Sequence, residues 1–542
     1  MATRGVRPGR PKTDTPQPAD EMPSPLRADG PPTADARAAS TTDAAAPVTG
    51  AQPPRVAAAS EGDRSGTDGR YRRLPTGAHG LAREEVARDQ RERLQSAMVE
   101  LIAERGYQAV RILDLTKLAH VSRPTFYSLY KDKEELLLGA YEDIAGRTAK
   151  TVIDAFDTDG SVEARLQVAM RAFAKLATAE PDSMSLFLLG AFGAGAKALE
   201  RRNRTLDAFE RTIQSSRDGS SRAIPADLTV KVILGGIREV AAARLLENRI
   251  SELPDLTGEL TAWATSYPPS MPRELQGAPV PRRPEPGEGP PPASERARRA
   301  EGRLPSGRHD LPRAVVVKSQ RERIVDATAA IVAEKGLAGL TIPEIASRAN
   351  VSHETFYEMY PTKKDAFLGA QKVGMHQAFT IAVSAYEAHK PDWPRAVAEG
   401  LCALIVYLHS EPAHAHLSIV DTFAASPETL EIRGEILRGF AVYLSPGERP
   451  PTDIDVPAIA AEAVVGGVWQ ILHHYIESKC LDELLEAGPQ MVYLLLTPFV
   501  GPEEARKVAL LPLIAGVRLG EYALFEDGVA ASSPQSDGDD SA

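Results

Sequence analysis

Apolar residues recur at the spacing of an α-helix through two long parts of the chain. One helix after residue 320 presents a single apolar face and ends at Gly336, a residue typical of helix C-termini. That apolar face consists of Ile324, Ala327, Thr328, Ile331 and Val332. The same periodicity runs almost unbroken through residues 141–265 and 371–527. The pattern therefore predicts an all-α fold.

Two short helices follow the helix that ends at Gly336. Thr341 and Glu344 match a capping box, which predicts a helix over residues 342–349. After a tight turn, Ser352 caps a third helix over residues 353–360, and a longer fourth helix starts close behind it. Short helix, turn and short helix form the helix-turn-helix pattern, whose second helix enters the major groove of DNA.

The whole arrangement occurs twice. Residues 90–140 and 320–370 align without a gap, with 20 identities in 51 positions. The helices predicted for the first copy span residues 88–105, 112–119 and 123–130, with a fourth from residue 132. Arg111 stands where the second copy has Thr341, so we expect the second helix of the first copy to begin less firmly. The match indicates a duplication with a period far longer than that of a solenoid repeat.

Composition shifts divide the chain further. Segments rich in Pro, Ala, Gly and Asp bury too little apolar surface to offset the entropy of ordering, and prolines stiffen a linker. The predicted domains are a disordered segment 1–70, a helix-turn-helix domain 71–140, a helical regulatory domain 141–266, a proline-rich linker 267–300, a second helix-turn-helix domain 301–370, a second helical regulatory domain 371–527 and a disordered tail 528–542.

Composition narrows the class of protein. The chain has 542 residues, of which 43% are hydrophobic and 25% charged, as in globular proteins. A net charge of −11 argues against a uniformly basic coat for nucleic acid, but it leaves room for a local DNA-binding face. Cys402 and Cys480 give no disulfide framework, so we expect a cytoplasmic, nucleoid-associated protein. No membrane span or secretory signal is indicated.

The third helix of each copy carries side chains that suit DNA. Hydroxyls at a helix N-terminus lie where free backbone N–H groups favour phosphate oxygens, and tyrosine and lysine add further donors. Arg123 can reach a guanine edge, and His353 occupies the matching position. The predicted DNA contacts are Ser122, Arg123, Thr125, Tyr127, Tyr130 and Lys133 in the first copy, and Thr341, Ser352, His353, Thr355, Tyr357, Tyr360 and Lys363 in the second.

Each of these assignments has a structural alternative. The two serines cap their helices with or without DNA, and the two lysines could lie on a solvated face. We expect Phe126 and Phe356 in the core. The QRER motif that begins each copy is first of all a charged helix face. Glu354 could accept a hydrogen bond from cytosine or simply repel phosphate.

These residues resemble the TetR family of regulators. The resemblance rests on AERGYQAVRILDLTKLAHVSRPTFYSLYKDKEEL and AEKGLAGLTIPEIASRANVSHETFYEMYPTKKDAF, each behind a QRER motif. The segments RLPTGAHGL and RLPSGRHDL that precede them are similar to the N-terminal extension of many actinobacterial members. The resemblance implies a helical ligand-binding and dimerisation domain behind each DNA-binding head.

In this family the last two helices of each unit form a four-helix bundle with a partner unit. The helices expected there span residues 226–248 and 253–265 in the first copy, and 456–478 and 481–496 in the second. Both first helices contain a Gly-Gly pair, at 235–236 and 466–467, which indicates a close helix approach or a local kink.

We expect the two copies to pair within one chain as a pseudo-dimer, because a linker of about 35 residues keeps their effective concentration high. The alternative is a homodimer of chains with four heads. Since the third helices read RPTFYSLY and HETFYEMY, the expected partner is a double-stranded DNA operator, an imperfect palindrome with unlike half-sites.

A small apolar ligand is the other expected partner, and no cofactor is implied. The pocket candidates are Trp469, His473, Tyr475 and His416 in the second copy, and Met170 and Phe173 in the first. Met170 and Phe173 are as consistent with core packing as with a pocket. The histidines of the second copy lack a full metal-ligand spacing, so no metal site is predicted.

The leading hypothesis is a ligand-responsive repressor that binds DNA. The alternative is a small-molecule-binding or sequestering protein whose heads have lost affinity for DNA, a reading favoured by Arg111 and Glu354. An enzyme ranks third, since the sequence has no phosphate-binding P-loop, no G-x-S-x-G and no H-E-x-x-H motif.

Overall fold

The described residues contain helices and no strand, which confirms the all-α class. A computed structural model describes residues 82–189, 204, 208, 210–211, 228–268, 270–275, 312–421, 427–450 and 453–512. The segments predicted as disordered, most of the predicted linker and both RLP segments lie outside these residues. No helix in the described part of the chain has the length and apolar character needed to cross a membrane.

The first copy begins with a three-helix head and continues into its regulatory helices. Its helices are α1 (Arg83–Ala109), α2 (Ile112–Leu118), α3 (Arg123–Leu129), α4 (Lys133–Phe156), α5 (Val162–Ala179), α6 (Pro181–Leu189), α7 (Leu228–Leu246) and α8 (Thr257–Thr265). Short 3₁₀ turns occur at Ile250–Glu252 and Arg273–Leu275. The predicted helix boundaries of the head are confirmed to within a few residues, apart from an earlier start of α1.

The second copy repeats this order. Its helices are α9 (Arg313–Lys335), α10 (Ile342–Ala349), α11 (His353–Met359), α12 (Lys363–His389), α13 (Trp393–Ser410), α14 (Pro412–Ala415), α15 (Pro427–Val442), α16 (Ala460–Glu477), α17 (Leu481–Glu486) and α18 (Gly488–Ala509). A π-helical turn, His416–Val420, continues directly from α14. The single helix predicted over 481–496 is two helices, because the chain turns at Ala487 and starts again at Gly488.

Side-chain caps explain the starts of both recognition helices, but not the start of α10. The hydroxyls of Ser122 and Ser352 accept from the backbone N–H three residues on, as predicted. Thr341 does not form the predicted capping box: its hydroxyl caps nothing, and the Glu344 carboxylate accepts from Lys335 instead. The observed capping box lies at Thr362, where the next long helix begins.

The turn between the two short helices takes the same unusual conformation in both copies. Its central residue has a positive φ, 52° at His120 and 52° at Asn350. Asparagine visits the left-handed region more readily than other residues with a Cβ. The turn of the second copy is therefore the less strained of the two.

The Gly-Gly pairs lie where α7 crosses α16. A Cβ on Gly236 would come within 3.0 Å of the Ala463 carbonyl oxygen, and one on Gly467 within 3.0 Å of the Val232 carbonyl oxygen. Residues 236 and 467, like 232 and 463, are 231 positions apart, so the two contacts are equivalent. The predicted close approach of helices is confirmed, and it brings one helix of each copy into contact.

The remaining bundle helices also meet across the two copies. Helix α8 packs against α16, and α18 packs against α7. The backbone N–H of Ile459 donates to the Glu259 carboxylate at 2.9 Å, which fixes α8 beside the start of α16. The four helices that the sequence assigned to a bundle therefore contact one another between the copies.

The two heads join their regulatory halves differently. Buried side chains of the first head, such as Leu94 and Phe126, pack continuously with those of its regulatory half, such as Leu186. The second head has a separate core around Phe356. Among the described residues, Leu417 is the one fully buried side chain that this core receives from beyond residue 370.

Candidate nucleic-acid interface and ligand cavity

The recognition helices α3 and α11 present one polar face to solvent. Tyr127 is 52% exposed and Tyr357 is 55% exposed, while Phe126 and Phe356 beneath them are fully buried, as expected for core residues. Ser122, Arg123, Ser352 and His353 at the helix starts are exposed, and Thr125 and Thr355 are half-buried. The predicted DNA-contact side chains on the outer face thus lie together on one accessible surface of each head.

Tyr130 and Tyr360, the other predicted tyrosine contacts to DNA, are less exposed than Tyr127 and Tyr357. They end the recognition helices with their rings packed toward the core, and burial raises the pKa of both hydroxyls. The reason is a glycine in the next helix: a Cβ on Gly369 would lie 2.7 Å from Cε1 of Tyr360, and Gly139 leaves the same space for Tyr130. The Tyr130 hydroxyl accepts from the Gln95 amide at 3.2 Å.

The two lysines at the start of the following helix serve the head itself. Lys133 Nζ donates to the carbonyls of Tyr107 and Val110, both at 3.1 Å. Lys363 Nζ donates to the carbonyl of Leu340 at 2.9 Å. Each ammonium group therefore holds the segment that leads into the second helix of its head, and phosphate contact by these lysines stays a prediction.

Charge distinguishes the two recognition surfaces. From residue 122 to 133 the first copy has Arg123, Lys131 and Lys133 against Asp132. From residue 352 to 363 the second copy has Lys363 against Glu354 and Glu358. The electrostatic part of DNA affinity comes from cations on phosphates, so we expect this stretch of the first head to attract DNA more than its counterpart.

A cavity of about 110 Å³ lies in the regulatory half of the second copy. Helices α12, α13, α15 and α16 and the π-helical turn supply its wall, which is mainly aliphatic and aromatic and contains no Asp, Glu, Lys or Arg. Trp469 is the one predicted pocket residue found in that wall. Burial of an unpaired charge is costly, so this wall fits an uncharged, largely apolar molecule.

The other pocket candidates of the second copy lie outside the lining. Helix α16 turns residues 465, 468, 469 and 472 toward the cavity, which leaves His473 and Tyr475 on neighbouring faces. His473 Nδ1 lies 3.5 Å from the Glu477 carboxylate. His416 Nδ1 lies 2.8 Å from the Asp421 carboxylate. Helical phase therefore separates His473 and Tyr475 from Trp469, and His416 lies on the π-helical turn outside the lining.

Three buried polar atoms in the cavity wall have no hydrogen-bond partner in the protein: the Tyr386 hydroxyl, the Trp469 indole N–H and Nδ1 of His414. Burial raises the pKa of Tyr386 to about 12, and the nearby Glu448 carboxylate adds to the rise. The hydroxyl therefore stays protonated at neutral pH and can donate. Two donors and one ring nitrogen are thus placed among apolar walls, as in many small-molecule sites.

Two positions of the first copy hold larger side chains than their counterparts in the cavity wall. Gly374 and Ser418, which line the cavity, correspond to Ile144 and Phe187, both almost fully buried. Met170 and Phe173, the pocket candidates of the first copy, are also buried members of the core. At positions 144 and 187 the first copy therefore has bulky side chains where the second copy has small ones.

Metal chemistry finds no support in the described residues, since no group of three His, Cys, Asp or Glu side chains is placed to hold an ion there. His409, His414 and His416 instead contact separate carboxylates, those of Asp482, Asp326 and Asp421.

The family model described as "Bacterial regulatory proteins, tetR family" matches the chain at residues 95–140 and 324–370. These ranges cover the recognition helices and their supporting helices in both heads. The chain is a tandem TetR family regulator. The duplicated helix-turn-helix domains make it a DNA-binding transcription regulator, as the sequence predicted.

Among solved structures, the fatty acid degradation regulator FadR from Bacillus halodurans is similar to this TetR family chain. The two are 18% identical, with a TM-score of 0.29, and the match covers 32% of this chain and 94% of that chain. None of the curated proteins compared with the chain matches it.

Sequence reasoning missed one structural pair in these TetR heads. The last arginine of each QRER motif clamps the helix-turn-helix turn: Arg93 Nη1 donates to the Ala119 carbonyl at 2.7 Å, and Arg323 Nη1 donates to the Ala349 carbonyl at 2.8 Å. The repetition of QRER at the same offset was the available signal. The role of this arginine became visible only in the tertiary structure, because the carbonyl groups that accept its hydrogen bonds lie 26 residues away.

Proposed function

We propose that this regulator is a ligand-responsive repressor in which the two copies of one chain form a pseudo-dimer. The cavity of about 110 Å³ in the second copy is the observation that carries the ligand part of the proposal. An occupant would favour a spacing of the two heads that cannot span successive major grooves, which is a shift between conformations already accessible to the protein.

The crossing of α7 and α16 supports pairing of the two copies. Gly236 and Gly467 bring the helix backbones into contact, and Trp263 packs against Gly236, fully buried. A buried ion pair joins Glu239 of the first copy to Arg433 of the second. Close contact of helix backbones together with a fully buried aromatic side chain is typical of a permanent interface.

A second ion pair favours pairing of unlike copies. Arg244 of the first copy and Glu462 of the second bond through both nitrogens and both oxygens, at 2.9 and 3.0 Å. The equivalent positions, 231 residues away, hold Tyr475 and Lys231. Two first copies paired with each other would set Arg244 opposite Lys231, a repulsion that disfavours this arrangement.

The mass in solution tests the pseudo-dimer. Light scattering of the full chain is expected to give 58.3 kDa across the micromolar range. A value near twice that mass would instead indicate a homodimer of chains with four heads. The double variant Arg244→Glu and Glu462→Arg exchanges the two charges and keeps the pair attractive. It is the control, because it changes both side chains without removing the attraction between them.

DNA selection followed by ligand release tests the regulator. Duplexes recovered from a random pool are expected to share an imperfect palindrome with unlike half-sites. A neutral aromatic probe, 2-naphthol, is expected to weaken binding to the recovered duplex. The matched variant Ser418→Phe introduces the first-copy side chain into the cavity, and it is expected to keep DNA binding but lose the response.

The sequestering alternative has one observation in its favour, since Glu354 and Glu358 are both exposed on the second recognition helix. If that alternative is right, 2-naphthol binds while no salt-dependent gel shift is seen with any recovered duplex.

A further inference from the structure

His414 lies between the cavity and the second head. It is 5% exposed, and it lies in the short helix α14, which leads into the π-helical turn. Its Nε2 lies 3.0 Å from the Asp326 carboxylate, and its Nδ1 is buried without a partner in the cavity wall. Nδ1 of His414 thus faces the cavity, and Nε2 faces the second head.

The bond to Asp326 fixes which nitrogen carries the proton in the neutral ring. A carboxylate can only accept, so Nε2 donates and Nδ1 presents a lone pair to the cavity. Gly374 lies beside this nitrogen in the cavity wall: a Cβ there would lie 2.5 Å from the Ser418 hydroxyl oxygen and 3.5 Å from Nδ1, so the glycine leaves this part of the wall open. A buried acceptor without a donor is costly, and an occupant with a hydroxyl would satisfy it.

Asp326 connects this ring to the recognition helix. It lies on α9, one helical turn from Arg323, which holds the carbonyls at the helix-turn-helix turn. The second oxygen of Asp326 is buried without a hydrogen bond, so His414 supplies the hydrogen bond that this carboxylate receives. A change at His414 therefore reaches the turn through a single rigid helix.

We propose that His414 binds the hydroxyl group of a neutral, mainly apolar ligand and couples cavity occupancy to the second DNA-binding head through Asp326. The inference rests on the proposed function, because it assigns the recognition and the signalling within that same cavity. The Trp469 N–H and the Tyr386 hydroxyl are the matching donors for a carbonyl or ether oxygen elsewhere on the ligand.

Polarisation of the His414 ring determines whether an occupant strengthens or weakens the bond to Asp326. A hydroxyl that donates to Nδ1 draws electron density from the ring and strengthens the Nε2–H bond to Asp326, because successive hydrogen bonds reinforce each other. A ligand that presents only an acceptor would need the proton on Nδ1, and the neutral ring would then lose its bond to Asp326. The site therefore distinguishes a hydroxyl from a carbonyl of similar size.

The link belongs to the second copy alone in the aligned sequence. Residues 326 and 414 correspond to Ser96 and Ser183 of the first copy, which cannot form an imidazole–carboxylate bond. The first head therefore provides an internal reference within the same molecule.

Two matched probes test the recognition step. Titration of the full chain should show 2-naphthol binding about tenfold more tightly than naphthalene, since a buried acceptor gains its missing donor. In His414→Phe, which keeps an apolar wall, both probes should bind with similar affinity. If neither probe binds the wild-type chain, the cavity function fails and this inference fails with it.

Equal affinity of the two probes for the wild-type chain, or an unchanged preference in His414→Phe, would overturn the role of His414 and leave the cavity function intact. Circular dichroism checks that each variant is folded. The half-buried Asp326 provides a second variant, Asp326→Ala, at a position that tolerates truncation more easily.

Hydrogen exchange tests the coupling step without any operator. In the wild-type chain, 2-naphthol should change amide exchange at least threefold across α10 and α11 and leave α2 and α3 of the first head unchanged. Asp326→Ala should bind 2-naphthol and lose this exchange response. A response that persists in Asp326→Ala, or one that appears equally in both heads, would refute the coupling.

Discussion

The two copies share one fold but divide their chemistry. The first copy carries most of the cations around its recognition helix, and it fills with Ile144 and Phe187 the positions that line a cavity in the second. The second copy carries acidic residues on its recognition helix and a cavity linked to its head by Leu417 and His414. Duplication thus allows the two copies to acquire different side chains around the same helices, because each mutates without loss of the shared bundle.

The largest expected effect comes from the attachment of the second head. Leu417→Ala removes a fully buried side chain from the core of that head, which should cost about 2–5 kcal/mol there. Hydrogen exchange should show faster exchange in α10 and α11, with α2 and α3 unchanged. The matched variant in the first copy is Leu186→Ala. If Leu417→Ala speeds hydrogen exchange equally in both heads, the second head does not have a core of its own.

The crossing of α7 and α16 at Gly236 and Gly467 tests how far the two copies remain equivalent. Gly236→Ala and Gly467→Ala each place a methyl group against a backbone carbonyl, and each should destabilise the chain by about 1–3 kcal/mol. Urea unfolding measures both. Gly146→Ala, where a Cβ meets nothing within 4 Å, is the control and should be neutral or slightly stabilising. Strongly unequal costs at Gly236 and Gly467 would break the pseudo-symmetry.

DNA affinity should expose the charge difference between the heads. We expect Arg123→Ala to weaken binding to the selected operator about tenfold, or about 1.4 kcal/mol, because a guanine contact and a cation are lost. His353→Ala should cost less than about threefold in affinity. Only Arg123→Ala should also reduce the dependence of affinity on salt. Equal losses from the two variants would count against unlike half-sites.

The smallest effect concerns the helix-turn-helix turn. A reciprocal exchange, His120→Asn and Asn350→His, should stabilise the first head and destabilise the second by about 0.5 kcal/mol each, since asparagine accepts the left-handed conformation more readily. Thermal unfolding of the two variants measures the sign. Two shifts of the same sign would show that contacts of the side chains, and not backbone strain, decide the stability of this turn.

Much of the head was predictable because its signals are local. The serine caps, the glycine that ends α9, the buried phenylalanines and the exposed tyrosines all follow from spacing within a few residues. The prediction failed at Thr341, where Lys335 competes for Glu344. The sequence also did not indicate that the ring of Tyr130 packs against Gly139 of the next helix.

The sequence by itself determined the duplication, the helical class and the recognition helices, since repeats and short-range periodicity need no knowledge of distant residues. Tertiary structure decided the rest: the arginine clamp on the turn, the pairing of Glu239 with Arg433 across 194 positions, and the contact of His414 with Asp326 across 88. Those partners meet only after the helices pack, and a single sequence does not specify which of many polar side chains will face each other once packing is complete.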